Sequence, residues 1–233
     1  MSQAGRYIPL SGPGSGTVTS ISAGTGITLT PNPIVATGTV ALTVPVAIAN
    51  GGTNATSMVT TNGIVKYDGT RLVTSSTAQI DASNRMTNTS QPAFQYYLGT
   101  NDTNATGNGA LYQLGSGNAL TQVFDQGNNM TVGGVFTAPV DGIYCFQMGI
   151  LLLNNTSTSE LILQFNASTG TFYDVRNNRN ASANSFGMGG CVLLKLPALA
   201  TVVFQVVASG NPGDTCTVQG AQNNTFVSGY LVC

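Results

Sequence analysis

The sequence predicts an all-β protein, and three observations carry that expectation. Charged residues make up 6% of the chain and hydrophobic residues 42%, so its polarity comes from Thr, Ser, Asn and Gly. Thr and Ser suit the faces of sheets, and Gly and Asn suit tight turns. Apolar residues also recur with period two, as in "TVALTVPVAI", where Val40, Leu42, Val44, Val46 and Ile48 alternate with small or polar neighbours. Strict alternation marks a strand with one buried face. Finally, Gly, Pro, Asn and Asp interrupt the chain at short intervals, and no segment keeps a helical period.

The same composition sets aside whole classes of function. A net charge of −1 gives no basic surface for a phosphate backbone, so no nucleic-acid partner is expected. No apolar run reaches the roughly 18 residues of a membrane span, so no membrane insertion is expected. The opening "MSQAGRYIPLSGPGSG" lacks the basic start and apolar core of a secretory signal, so with Met1 as the true start the chain is expected to be made and folded in a cytosol. Cys145, Cys191, Cys216 and Cys233 contain no CxxC pair, and the chain has no histidine, so neither a metal site nor a cofactor is expected. Buried or inert thiols are the expectation for these cysteines.

Three regions follow one another. Residues 1–16 are a Gly/Pro-rich lead whose bulky residues are Arg6, Tyr7, Ile8 and Leu10, read as an attachment segment. Residues 17–90 hold very short strands. "GITLT" places Ile27 and Leu29 on one face, and "GIVKYDGTRLV" reads as a hairpin turning at Asp68-Gly69. Each segment offers only a few apolar side chains, too few for a private core, so several copies of the chain are expected to wrap together. Residues 91–233 carry longer strands: "PAFQYYLG", "ALYQL", "LTQVF", "GVFTA", "GIYCFQMGILLLN", "LILQFNAS", "TFYDV", "GCVLLKL", "TVVFQVVAS", "TCTVQ" and "FVSGYLVC". Many strands at short spacing predict a two-sheet sandwich of jelly-roll size.

The strand after Gly142 is apolar on both faces. Tyr144, Phe146, Met148, Ile150 and Leu152 share one, and Ile143, Cys145, Gln147, Gly149, Leu151 and Leu153 the other. The first face fills a sandwich; the second needs a cover, either another subunit or the chain's own loops. Just before it, "VFTAPVDGIYCF" turns a corner, with Pro139 fixing one dihedral and Gly142 free to supply a positive one.

This corner resembles the C1q/TNF-like family and its F-x-x-P-x-x-G-x-Y-x-F signature, met here by Phe136, Pro139, Gly142, Tyr144 and Phe146. The closing "FVSGYLVC" is similar to the family's last strand, with Phe226, Gly229 and Tyr230 in the matching places, and "PAFQYYL" is similar to its first. The resemblance implies a jelly-roll homotrimer over residues 91–233. Leu199 and Ala200 stand where the family often has Gly-Asp, so no calcium or loop role tied to that pair carries over, and no collagen repeat precedes the domain. "GTVTSISAGTGITLT" and "VPVAIANGGTNATSMVTTNGIVKYDG" resemble shaft segments of phage tail fibres and related trimeric viral fibres. Together the two resemblances imply an attachment piece, a β shaft and a trimeric head.

Catalytic chemistry is not expected. Without histidine there is no Ser-His-Asp or Cys-His device. The eight acids, Asp68, Asp81, Asp102, Asp125, Asp141, Glu160, Asp174 and Asp214, are scattered, and turn capping is the role expected for most. The expected function is therefore a structural virion fibre or spike. It would be joined to other virion proteins through its N-terminal segment, with a head that binds a host-surface receptor or glycan. A bacterial surface fibre adhesin or a secreted C1q-like ligand-binding protein is the alternative. The candidate receptor site is the loop "DVRNNRNASANS", where Arg176, Asn177, Asn178, Arg179 and Asn180 combine two of seven basic residues with amides able to bond sugar hydroxyls. The competing reading is an ordinary solvated loop.

Overall fold

A computed structural model describes residues 20–24, 27–42, 53, 55, 62–170, 172–177 and 184–233. Every regular element among them is a strand. The chain divides into two compact units, Met1–Thr87 and Asn88–Cys233.

The first unit contains β1 (Ile27–Thr30), β2 (Thr39–Leu42), β3 (Gly63–Tyr67), β4 (Leu72–Ile80) and β5 (Met86–Asn88). β1 and β2 form an antiparallel pair, and β3, β4 and β5 form a three-stranded sheet. The expected hairpin turn is present. Gly69 has φ 99°, and the Asp68 carboxylate accepts the backbone N–H groups of Thr70 and Arg71, each at 2.9 Å. The Arg71 and Thr70 amides hold the Asp68 carboxyl below its ordinary pKa. Asp81 repeats the device between β4 and β5, accepting from Ser83 and Arg85 amides and from the Arg85 guanidinium. Little is enclosed: among the described residues up to Thr87, Leu29 and Ile34 are the buried hydrophobic side chains. The alternation expected at Val44, Val46 and Ile48 lies outside the described residues.

The second unit contains β6 (Ala93–Leu98), β7 (Asp102–Thr106), β8 (Leu111–Gln113), β9 (Leu120–Gln126), β10 (Val135–Thr137), β11 (Gly142–Leu153), β12 (Glu160–Ala167), β13 (Phe172–Asn177), β14 (Ser185–Leu196), β15 (Thr201–Ser209), β16 (Cys216–Val218) and β17 (Phe226–Leu231). They build two antiparallel sheets. One runs β7-β16-β11-β17-β6-β9 with β14 also on β11; the other runs β10-β15-β12-β13 with β8 also on β15. The expected jelly-roll sandwich is what forms.

Period-two alternation makes its core. Tyr144, Phe146, Met148, Ile150 and Leu152 of β11 are all at most 2% exposed, and they meet Leu161, Leu163 and Phe165 of β12 and Val202, Phe204 and Val206 of β15 in one cluster. Aromatic rings lock the two sheets together: Phe94 stacks on Phe136 at 5.2 Å between centroids, and Phe146 meets Phe204 edge-on at 5.7 Å. Two elements differ from the sequence reading. β7 is built from "DTNAT", a polar stretch outside the expected strands, yet it pairs with β16. β14 begins at Ser185, several residues before the expected "GCVLLKL", because β11 offers it a full-length ladder down to Leu153.

Candidate functional site

The corner before β11 shows why its residues are what they are. Phe136 on β10 and Tyr144 and Phe146 on β11 are buried, and their rings touch at 5.1 to 6.1 Å. The Tyr144 hydroxyl donates to the Val140 carbonyl at 2.7 Å, which closes the turn. Burial raises the pKa of that phenol. Pro139 sits exposed at the tip. Gly142 is not in the left-handed region, as the sequence reading allowed. It is glycine for space, since a Cβ there would lie 2.5 Å from Leu231 and 2.8 Å from the Cys233 carbonyl. Gly229 on β17 is glycine for the same reason: a Cβ would stand 2.7 Å from both the Phe146 and the Phe94 rings. Phe226 lies over Gly149, whereas Tyr230 is 48% exposed on the opposite face from the core.

That opposite face is a broad surface. Strand register sets Leu193, Cys145, Tyr230 and Ala93 in one row across β14, β11, β17 and β6. The next rows are Cys191, Gln147, Ser228 and Gln95, and then Gly189, Gly149, Phe226 and Tyr97. Leu193 is 59% exposed, and Phe124, opposite Gln95 on β9, is 46% exposed. The Cys145 thiol beside the Tyr230 hydroxyl raises the tyrosine's pKa. The face carries Lys195 at one corner and is otherwise uncharged along these rows. All four cysteines are free, with Cys145 and Cys216 buried and Cys191 and Cys233 exposed.

The candidate receptor segment begins as a strand rather than a loop. Arg176 and Asn177 belong to β13, held there by pairing with Ile162 and Leu161 of β12. The Arg176 guanidinium meets Glu160 at 3.3 Å. Asn178, Arg179 and Asn180 lie outside the described residues. Beside this end of β13 the structure gathers further connections that the sequence did not single out. The Asn155 backbone N–H after β11 donates to the Asn184 carbonyl at 3.4 Å. Asn211, between β15 and β16, accepts from the Ser157 amide at 2.9 Å, donates to the Asn154 carbonyl at 2.9 Å, and donates its backbone N–H to Gly107 at 3.0 Å. Asp214 accepts the Asn108 amide at 3.0 Å. Asn108, Thr156, Ser157, Ser159 and Thr215 face solvent there. A surface so composed offers neutral hydrogen bonds rather than a strong field.

Other carboxylates serve the chain itself. Asp102 is buried on β7 and accepts from the Tyr112 hydroxyl and from the Asn118 backbone and side-chain N–H groups. Gly117 beside it leaves the room, because a Cβ would come 2.7 Å from the carboxylate. Asp125 accepts from Asn129, Met130 and Tyr96, and Asp141 from Ala198. Asp68, Asp81 and Asp125 thus cap the turns that follow them, Asp141 and Asp214 accept amides of turns distant in sequence, and Asp102 ties strands together. The only clue to Asp102 in the sequence was an acid amid Asn and Thr, which equally reads as a turn.

The C1q domain family model matches residues 118–232. Strands β6 to β8 precede that match, yet they complete the same sandwich by pairing with β17, β16 and β15. Among solved structures, the globular domain of zebrafish complement 1qA is 16% identical with a TM-score of 0.43, over 61% of this chain and 98% of that one. Murine APRIL is 9% identical with a TM-score of 0.45, over 61% and 99%. Eiger TNF from S. frugiperda is 10% identical with a TM-score of 0.44, over 61% and 93%. No curated protein matches the chain. Residues 118–232 thus match the C1q domain family and lie within an all-β jelly roll.

Proposed function

We propose that this protein is a homotrimeric, non-enzymatic fibre or spike component of a virion. The C1q/TNF-like domain is its head, residues 17–90 its shaft, and residues 1–16 its attachment to other virion proteins. The observation that carries the trimer is the outer face of the seven-stranded sheet, where Leu193, Tyr230, Phe226, Tyr97 and Phe124 line up with almost no charge. A face of that kind is covered in the working protein, and copies of the same chain cover it most economically. The few buried side chains among the described residues before Thr87 support the same reading, since strands without a core of their own gain one by association. The likeness of "GTVTSISAGTGITLT" to viral fibre shafts supports the virion setting.

The head's contribution is host attachment through the end of the sandwich where β13 stops. Arg176 and Asn177, beside the exposed Ser and Thr residues of the neighbouring connections, together with Asn178, Arg179 and Asn180 that follow them in sequence, suit a hydroxyl-rich glycan recognised by neutral hydrogen bonds. Sedimentation of the full chain tests the assembly: three chains are expected, with an interface above roughly 2,000 Å². A stable folded monomer at micromolar concentration removes the proposal. Leu193→Asp should dissociate the assembly while each head stays folded, because Leu193 is 59% exposed within one chain. Arg176→Ala with Arg179→Ala should weaken attachment to host cells or glycan arrays without lowering the melting temperature. Unchanged attachment places the receptor site elsewhere.

A further inference from the structure

Beneath the connections at this end of the sandwich lies a polar nest that the binding reading does not use. Asn155, Thr158, Asn211 and Cys216 are each at most 1% exposed. The Asn211 side chain is fully employed. Its Nδ2 donates to the Asn154 carbonyl at 2.9 Å and to Cys216 Sγ at 3.0 Å, and its Oδ1 accepts from the Ser157 amide and hydroxyl. Asn155 is half employed. Its Oδ1 accepts the Thr158 backbone N–H at 3.3 Å, while its Nδ2 has no protein partner. The Thr158 hydroxyl has no partner in hydrogen-bond geometry either, although it lies close enough to the Cys216 thiol to oppose the burial that raises the thiol's pKa.

Two orphaned groups in one turn are a large anomaly for so buried a place, where polar atoms are nearly always paired. Exchanging the oxygen and nitrogen of the Asn155 amide does not help, because the amino group would then face the Thr158 N–H, donor against donor. What is left open is an amide donor, a hydroxyl able to donate or accept, and a weakly accepting sulfur. No charged side chain takes part, so an ion of either sign would be poorly matched. The complement is one small neutral molecule that both donates and accepts.

We propose that Asn155 Nδ2, Thr158 Oγ1 and Cys216 Sγ hold a single internal water molecule that fixes the turn between β11 and β12. Such a water needs two to four polar partners, which these groups supply. By holding Asn155 and Thr158 it sets the course of Thr156 and Ser157, which reach solvent between them.

The test uses the full chain with Thr158→Val and Thr158→Ser. Valine keeps the shape and removes the hydroxyl; serine keeps the hydroxyl and removes a methyl group. If a water is bound, Thr158→Val strands it and lowers the melting temperature by about 2–4 °C. Thr158→Ser then stays closer to the wild type than valine does, and a high-resolution crystal structure shows a water about 2.7–3.2 Å from Asn155 Nδ2 and Thr158 Oγ1. A hydroxyl with no partner gives the opposite sign, because replacing it with a methyl group relieves an unpaired buried oxygen. Thr158→Val melting at or above the wild type, Thr158→Ser falling as far as Thr158→Val, or no ordered water at the site each overturns the proposal.

Discussion

At the scale of single residues, space and burial decide more than charge. Gly229 is the sharpest case, because two aromatic rings occupy the place where a side chain would begin. Gly229→Ala should cost about 1–3 kcal/mol through overpacking. Thermal melting of the purified chain checks this, and an unchanged midpoint would mean the Phe94 and Phe146 rings move aside freely. Tyr96 links burial to pH. Its hydroxyl donates toward the Met130 carbonyl at 3.0 Å and the Asp125 carboxylate at 3.2 Å. Burial first, and the Asp125 charge second, push its pKa up to about 12 from an ordinary 10.0. An unfolded tyrosine ionises above about pH 10, while the folded one keeps its proton until about pH 12. Unfolding therefore releases a proton in that window, so stability falls as pH rises through it and levels off beyond. Tyr96→Phe should flatten the fall of melting temperature between those pH values, leaving a residual slope from Tyr144 and Tyr230, whose pKa values are also raised. Parallel declines in wild type and variant would show that Tyr96 does not carry the effect.

At the scale of elements, legibility followed the strength of alternation. β11, β12 and β15 were readable because each repeats large apolar residues at every second position, and those residues are the core. β7 was not, because Asp102, Asn104 and Thr106 carry turn chemistry. Asn104 indeed has φ 56°, and β7 exists only because β16 supplies a ladder and Tyr112 and Asn118 bind Asp102. The first half of β14 was hidden by Gly187, Gly189 and Gly190, which weaken any local strand signal, while its true determinant is the distant β11. The candidate site divides the same way. Arg176 and Asn177 stood out as basic and amide residues in a charge-poor chain. Asn155, Thr158 and Asn211 did not, since nothing local tells a buried Asn from an exposed one. The Asp102 tie gives a test at this scale. Asp102→Ala leaves the Tyr112 hydroxyl and the Asn118 donors without their acceptor, at a cost of about 1–3 kcal/mol. Hydrogen exchange should then speed up in β7 and β8 ahead of β11 and β12. Uniform acceleration through the sandwich would mean Asp102 supports the whole fold rather than these two strands.

At the scale of the whole molecule, the two units differ in what they can do alone. The core cluster lies entirely within Asn88–Cys233, running from Phe94 to Val227, and both sheets of the sandwich close within that span. Residues just ahead of β6 are held to the same unit. Gln91 Nε2 donates to the Leu231 carbonyl at 2.7 Å, and Gln126 Nε2 to the Asn88 carbonyl at 2.7 Å. A fragment should therefore begin at Asn88 rather than within β6. Such a fragment has the buried apolar area to fold alone, whereas the described residues up to Thr87 bury only Leu29 and Ile34 among their hydrophobic side chains. Against a backbone entropy cost of about 1–2 kcal/mol for each ordered residue, two buried side chains at about 1.5–3 kcal/mol each cannot hold those strands. The expected result is that residues 88–233 are soluble, melt cooperatively and give the sedimentation behaviour of the full chain. Residues 1–87 alone should show neither a strand signature in circular dichroism nor a melting transition. Fusing 1–87 to an unrelated trimeric domain separates the causes. If the strand signature returns there, association supplies the missing core; if 1–87 is already ordered as a monomer, the first unit stands on its own and the head is not what holds it.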